Sequence, residues 1–208
     1  MITIVNYRMG NIRSVQSALE YLGTPCQISG DPRTIERSDM LILPGVGSFR
    51  VAMQNLTMLG MTDALHEAVL IRKRPILGIC LGMQLLADEG TEDGITPGLG
   101  WIPGRVVRFA FDNPLTKVPH IGFNSVHVAT RDPLFTAMPD EVDLYFVHSY
   151  HFLCSENASI SGWADYQGRF TASVQKGNIY GTQFHPEKSQ SNGLRVLKNF
   201  VELGRMHA

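Results

Sequence analysis

The hydrophobic positions change rhythm about halfway along the chain. In the first half, short unbroken apolar runs alternate with stretches in which apolar residues recur every three to four positions. Ile2 to Tyr7 reads as a buried strand. From about Asn11 the period lengthens. Ile12, Val15, Ala18, Leu19 and Leu22 then share one helical face, and Gly23 ends the helix. Cys26 to Ser29 predicts a short second strand. Met40 to Leu43 is a continuous apolar run closed by Pro44-Gly45, as expected of a central parallel strand. A helical stretch covers roughly Met61 to Arg72. Pro75 to Ile79 then predicts another buried strand, which passes without a gap into a helix over Leu81 to Ala87.

Strands dominate the second half: Arg105 to Phe109, Ser125 to Ala129, Leu144 to Val147, Phe170 to Val174 and Ile179 to Gln183. Gly177-Asn178 predicts a hairpin turn between the last two. A terminal helix is expected from about Gly193 to Leu203, with Leu194, Leu197, Phe200 and Val201 on one face and Gly204 as its stop. Alternation first and hairpins later imply an α/β fold, a three-layer sandwich on a mixed, mostly parallel central sheet. Ligands gather at the carboxyl ends of parallel strands in such folds. That directs attention to the ends after Leu43, Ile79 and Gln183.

Composition narrows the function classes. The chain has 208 residues, 44% hydrophobic, enough for one domain spanning residues 1–208 with a substantial core. The net charge is −1, from 18 basic and 19 acidic residues. No single-sign run is available to grip nucleic acid or an anionic membrane, so neither is expected as a partner. Apolar runs are too short to span a bilayer, and Ile2-Thr3-Ile4-Val5 does not read as a secretion signal. Cys26, Cys80 and Cys154 are widely spaced, which suits a reducing, cytoplasmic setting.

Gly78-Ile79-Cys80-Leu81-Gly82 stands at a predicted strand-to-helix junction. A Gly-x-nucleophile-x-Gly turn there forces the central residue into a strained conformation, and its glycines let neighbouring backbone pass close. The helix start supplies unpaired N–H groups and positive potential, which favour thiolate. The Leu81 N–H can face an oxyanion. The simpler reading of a cysteine, a small buried hydrophobe, is adopted for Cys26 and Cys154. A nucleophilic cysteine needs a base. In Gln183-Phe184-His185-Pro186-Glu187, residues two apart in an extended segment face the same way, so Glu187 can orient His185. His148 closes a strand near the site without being the base, and His66 and His127 read as structural. A metal cluster of His148, His151 and His185 is a weaker alternative; no metal or cofactor is expected.

These motifs resemble the class I glutamine amidotransferases, and within them the glutaminase subunits of imidazole glycerol phosphate synthases. The resemblance runs over essentially the whole chain. It rests on Tyr7-Arg8-Met9-Gly10-Asn11, Leu43-Pro44-Gly45-Val46-Gly47, the cysteine turn through Gln84, the segments 117–124 and Phe146 to Tyr150, and Gln183 to Ser189. It implies that Cys80 attacks the side-chain amide of glutamine, that His185 handles the protons and that Glu187 orients it. It implies an oxyanion site from Leu81 and the Gly45-Val46-Gly47 backbone, with a peptide flip in that loop. Gln84, Gly47 and the His148-Ser149-Tyr150 segment would hold the amino-acid end of the substrate. An obligate cyclase partner of (β/α)8-barrel type, forming a heterodimer, would receive the ammonia, with Asn11 and Lys188 at the interface. Three positions depart from the family pattern: Asn6 where aspartate is common, Arg8 where glycine is common, and Phe123 in place of a frequent tryptophan.

Overall fold

The computed structural model describes residues 1–111, 115–129 and 133–206, with the side chains of 205 and 206 left aside. The first half folds as strand and helix in alternation. β1 (Ile2–Val5), α1 (Ile12–Tyr21), β2 (Cys26–Ser29), α2 (Pro32–Glu36), β3 (Met40–Gly45), α3 (Phe49–Met58), α4 (Met61–His66), β4 (Ile76–Cys80) and α5 (Leu81–Gln84) follow in order. The second half comprises β5 (Glu89–Gly90), β6 (Thr96–Pro97), β7 (Gly104–Arg108), β8 (His120–Val128), β9 (Glu141–His148), β10 (Tyr150–Cys154), β11 (Ile160–Asp165), β12 (Arg169–Lys176), β13 (Ile179–Thr182) and α6 (Gln190–Met206).

Nine strands form the main sheet in the order β2-β1-β3-β4-β13-β12-β11-β8-β9. The five from β2 to β13 are parallel neighbours, and the remainder continue antiparallel from β13. Period-two alternation assigns the apolar residues to the two faces of this sheet. Ile2, Ile4, Met40, Ile42, Leu77 and Ile79 join one core cluster with Val15 and Leu19 of α1 and Val196, Leu197 and Phe200 of α6. Val5, Leu41, Leu43 and Ile76 point the other way, onto Phe49, Leu56, Met61 and Leu65. Two cores on either side of one sheet give the three layers. A smaller sheet, β10-β7-β5-β6, packs in the second cluster through Val106 and Phe152.

Several boundaries differ from the expectation, each for an identifiable reason. The helix after Cys80 lasts one turn, Leu81–Gln84, and does not reach Ala87. The carbonyls of Leu85, Leu86 and Ala87 accept instead from the backbone of Leu99, Trp101, Ile102 and Gly100, which ends the helical ladder. The stretch from Met61 widens after His66 into a π-helical segment, Glu67–Ile71, closed by Arg72 N–H on the Glu67 carbonyl. Gly204 does not stop the terminal helix, which runs to Met206. Its missing side chain serves packing instead, since a Cβ there would overlap Met40 of β3. Met40 to Leu43 extends through Pro44-Gly45, with Gly45 in register with Cys80. The Gly177-Asn178 hairpin forms as expected, with Gly177 at φ +59°.

Candidate active site

Cys80 ends β4 and caps α5, at φ +53° and ψ −107°. An L-residue at positive φ is strained, and the surrounding packing holds it there. The two flanking glycines are required by close backbone approach. A Cβ on Gly78 would lie 2.6 Å from the Gly82 carbonyl oxygen, and one on Gly82 would overlap the carbonyl oxygen of Leu43. The turn is therefore wedged against β3, and Cys80 is 6% exposed.

β13 pairs parallel with β4, Thr182 beside Ile79, so the chain leaving β13 arrives next to the cysteine. His185 Nδ1 lies 2.8 Å from Glu187 Oε1, and the two side chains are 2% and 1% exposed. Its Nε2 is buried with no conventional hydrogen bond. Burial disfavours a charged imidazole, but the interactions with the Cys80 sulfur and the Glu187 carboxylate outweigh it, and the His185 pKa is raised. A cationic imidazole beside the sulfur is the arrangement a nucleophilic cysteine requires. The three residues singled out as a triad from sequence thus come together in one buried cluster.

The remaining candidates are placed as follows. Gly45 sits opposite Cys80 in the β3–β4 register, Val46 is 48% exposed, and Gly47 adopts φ +117°. Leu81 opens α5 and is buried. Gln84 is buried rather than on an exposed helix face. Its Nε2 donates to the Tyr150 carbonyl and to Gln183 Oε1, both at 3.0 Å. Ser149 accepts from the Phe109 N–H through its carbonyl. Both ring nitrogens of His148 are occupied: Nδ1 is 2.8 Å from the Tyr150 carbonyl and Nε2 is 3.0 Å from His120 Nδ1. A carbonyl only accepts, so His148 carries its proton on Nδ1 and receives at Nε2 from His120, whose own Nε2 faces Asn124. Burial lowers the pKa of His148 to about 3 and of His120 and His151 to about 4, keeping all three neutral. Among the described residues, no group of three or more His, Cys, Asp or Glu side chains is placed to hold a metal ion.

Asn11 stands at the N-cap of α1 without a side-chain capping bond. Lys188 is exposed, its ammonium 5.9 Å over the Tyr145 ring. Phe123, 50% exposed, meets the same ring edge-on at 5.5 Å. Arg8 adopts φ +67°, with its N–H on Asn6 Oδ1, so the position that favours glycine in the resembled family has a left-handed backbone here.

Three further residues lie near the sulfur, each within a motif of the sequence that assigns it no role. Gln183 is fully buried, with Nε2 3.6 Å from Cys80 Sγ. The Val147 carbonyl lies 4.0 Å from the same sulfur. The Tyr7 hydroxyl is buried without a partner, 2.5 Å from where a Cβ on Gly45 would stand, and burial and the nearby Cys80 raise its pKa. The signal for Gln183 was the alternation used for His185 and Glu187, since position 183 shares their parity.

Comparison with known proteins places the chain in a family. The sequence model of the glutamine amidotransferase class-I family matches residues 3–203. The imidazole glycerol phosphate synthase subunit HisH 1 of Campylobacter jejuni subsp. jejuni serotype O:23/36 (strain 81-176) is 47% identical over 203 residues, 98% of this chain and 100% of the relative. Subunit HisH 2 of Vibrio vulnificus (strain YJ016) is 45% identical over 214 residues, 100% of this chain and 99% of its own. Among solved structures, a glutamine amidotransferase superposes with TM-score 0.76 at 20% identity, over 98% of both chains. PurLQS from Thermotoga maritima gives TM-score 0.75 at 19% identity, over 97% of both. At such identities the solved structures speak for the fold alone, whereas the family match and the HisH relatives extend over nearly the full length. The chain belongs to the class I glutamine amidotransferases, within the group of HisH subunits.

Proposed function

We propose that this chain is the glutaminase subunit of an imidazole glycerol phosphate synthase. The observation that carries the reading is the buried Cys80–His185–Glu187 cluster at the β4–β13 junction. Cys80 Sγ attacks the side-chain amide carbon of glutamine, forming a C–S bond. The oxyanion is met by the Leu81 N–H and by backbone of the Gly45-Val46-Gly47 loop, which turns a peptide to donate. His185 passes its proton to the amide nitrogen, the C–N bond breaks and ammonia leaves. Neutral His185 then takes a proton from water, whose oxygen attacks the thioester, giving glutamate and free Cys80. Glu187 fixes the imidazole through Nδ1 throughout. Gln84, Gly47 and backbone of the 148–150 segment hold the amino-acid end of the substrate.

Ammonia has to reach its acceptor before it escapes into water. A (β/α)8-barrel cyclase docked over the strand ends fulfils that need in a heterodimer. Lys188, Tyr145 and half-exposed Phe123 form a surface group beside the catalytic base, joined to it by the His185 N–H on the Tyr145 carbonyl. Together with Asn11 this surface supports docking there. Arg8 adds a charge on a neighbouring exposed loop. The test is reconstitution. Glutamate release is measured for the chain alone, with the cyclase subunit and its nucleotide ligand, and with synthases of other pathways. The reading expects low activity alone, strong stimulation by the cyclase only, and none in Cys80→Ala. Turnover by Cys80→Ala, or stimulation by a different synthase, would overturn it.

A further inference from the structure

Beside the triad, the sulfur has a neighbour with no assigned role. Gln183 is 0% exposed and directs an amide atom to Cys80 Sγ at 3.6 Å. Which amide atom faces the sulfur decides what it does, because Nε2 donates and Oε1 only accepts. The surrounding hydrogen bonds fix which atom faces the sulfur. Here those bonds leave no freedom. The Tyr150 backbone carbonyl is an acceptor, so Gln84 must turn its NH2 toward it. The same NH2 meets Gln183, which must answer with Oε1. Nε2 of Gln183 is left pointing at the sulfur. Flipping either amide would set two acceptors or two donors face to face in a buried site and leave each without a partner.

We propose that Gln183 is a catalytic residue that donates a hydrogen bond to the Cys80 thiolate, with its orientation imposed by the relay from the Tyr150 carbonyl through Gln84. The physical need is plain. A buried thiolate has three lone pairs and little water. His185 supplies a positive charge nearby, while the Val147 carbonyl at 4.0 Å is repulsive to an anion and suits only the S–H form. Gln183 supplies a donor that stays neutral. It therefore stabilises the anion without competing for the proton that His185 must give to the leaving nitrogen. The relay gives Gln84 a second duty, to aim Gln183 before the substrate arrives. This inference rests on Cys80 being the nucleophile of the proposed reaction.

The test reads the sulfur directly and needs neither glutamine nor a partner. The folded full-length chain is treated with iodoacetamide, and alkylation of the peptide containing Cys80 is followed by mass spectrometry, with Cys26 and Cys154 as internal references. Gln183→Met keeps the bulk and removes the donor. Its Cys80 alkylation at pH 7 is expected to slow about tenfold (about 1.4 kcal/mol) and to recover the wild-type rate at a pH where the sulfur is ionised in both proteins. Equal rates at pH 7 overturn the proposal, as does a deficit that persists at high pH, which would mark a packing defect. If Gln183→Met does not fold, Gln84→Met decides, because it removes the N–H that aims Gln183. It is expected to slow alkylation in the same pH-dependent way, and unchanged reactivity overturns the proposal. Failure here leaves the functional reading standing if Cys80→Ala still abolishes glutamate release. Turnover by Cys80→Ala removes that reading whatever the alkylation rates.

Discussion

Acidification should destabilise this fold well above the carboxylate range, and His148 is one of three histidines responsible. The residue is 6% exposed, with both ring nitrogens engaged and its pKa lowered to about 3 by burial. In the unfolded chain it takes up a proton near 6.5, and in the folded chain it does not. Stability is therefore complete above 6.5 and declines as pH falls toward the folded value, by about 1.4 kcal/mol per pH unit. Between 6.5 and pH 5 the loss from this residue is about 2 kcal/mol. His120 and His151 act in the same direction. His185 does not oppose them in this window. Its pKa is raised, so it is protonated in both states below 6.5 and its contribution is lost only on the alkaline side. The lowered Asp31 and Asp39 begin to matter only as pH falls to about 3.8. Urea unfolding at pH 7.5 and pH 5 of the wild type and of His148→Gln measures the effect. With a slope of about 2 kcal/mol per molar urea, the wild-type midpoint should fall by about 1 M more than that of the variant. Equal falls in the two proteins would show that His148 titrates normally in the fold and refute the reasoning.

Two substitutions test the site from opposite sides. Gly82→Ala drives a Cβ into the Leu43 carbonyl, and backbone on both sides of the clash leaves nothing flexible to yield. A loss of about 3 kcal/mol or more is expected in thermal or urea unfolding, and wild-type stability would contradict the close approach of the turn to β3. Glu187→Gln keeps the shape beside His185 but removes the charge that orients and supports the imidazolium. Glutamate release with the partner present should fall by about 10²–10⁴-fold with the fold intact, and near-normal turnover would mean that His185 needs no orienter.

The parallel strands were legible because burial on both faces leaves unbroken apolar runs, as in Met40 to Leu43 and Ile76 to Ile79. The triad was legible because a nucleophile between two glycines and a His-x-Glu spacing each impose geometry on a few neighbouring residues. The helix within 48–60 is not legible in the sequence, although Phe49, Ala52, Met53 and Leu56 are all buried at helical spacing. Its exposed Val51 and Met58 blur the polar face that marks such a helix. The end of α5 could not be read, because it depends on bonds from residues 98–102, which no local pattern encodes. The same limit hid the protonation of His148 and the orientation of Gln84. Both are dictated by one carbonyl at Tyr150, remote in sequence from Gln84.

The pairing of β4 with β13 also has a consequence in time. Gln183 follows Cys80 by 103 positions, and His185 comes two later. During synthesis the cysteine leaves the ribosome on the order of ten seconds before its proposed base does. β1, β3 and β4 can associate in that interval, but the sulfur then has neither imidazole nor amide beside it. Only when β13 adds to the edge of β4 does the chemistry appear. A nascent or truncated chain thus lacks the proposed pairing of Cys80 with His185, which forms only with the docking of the last strand.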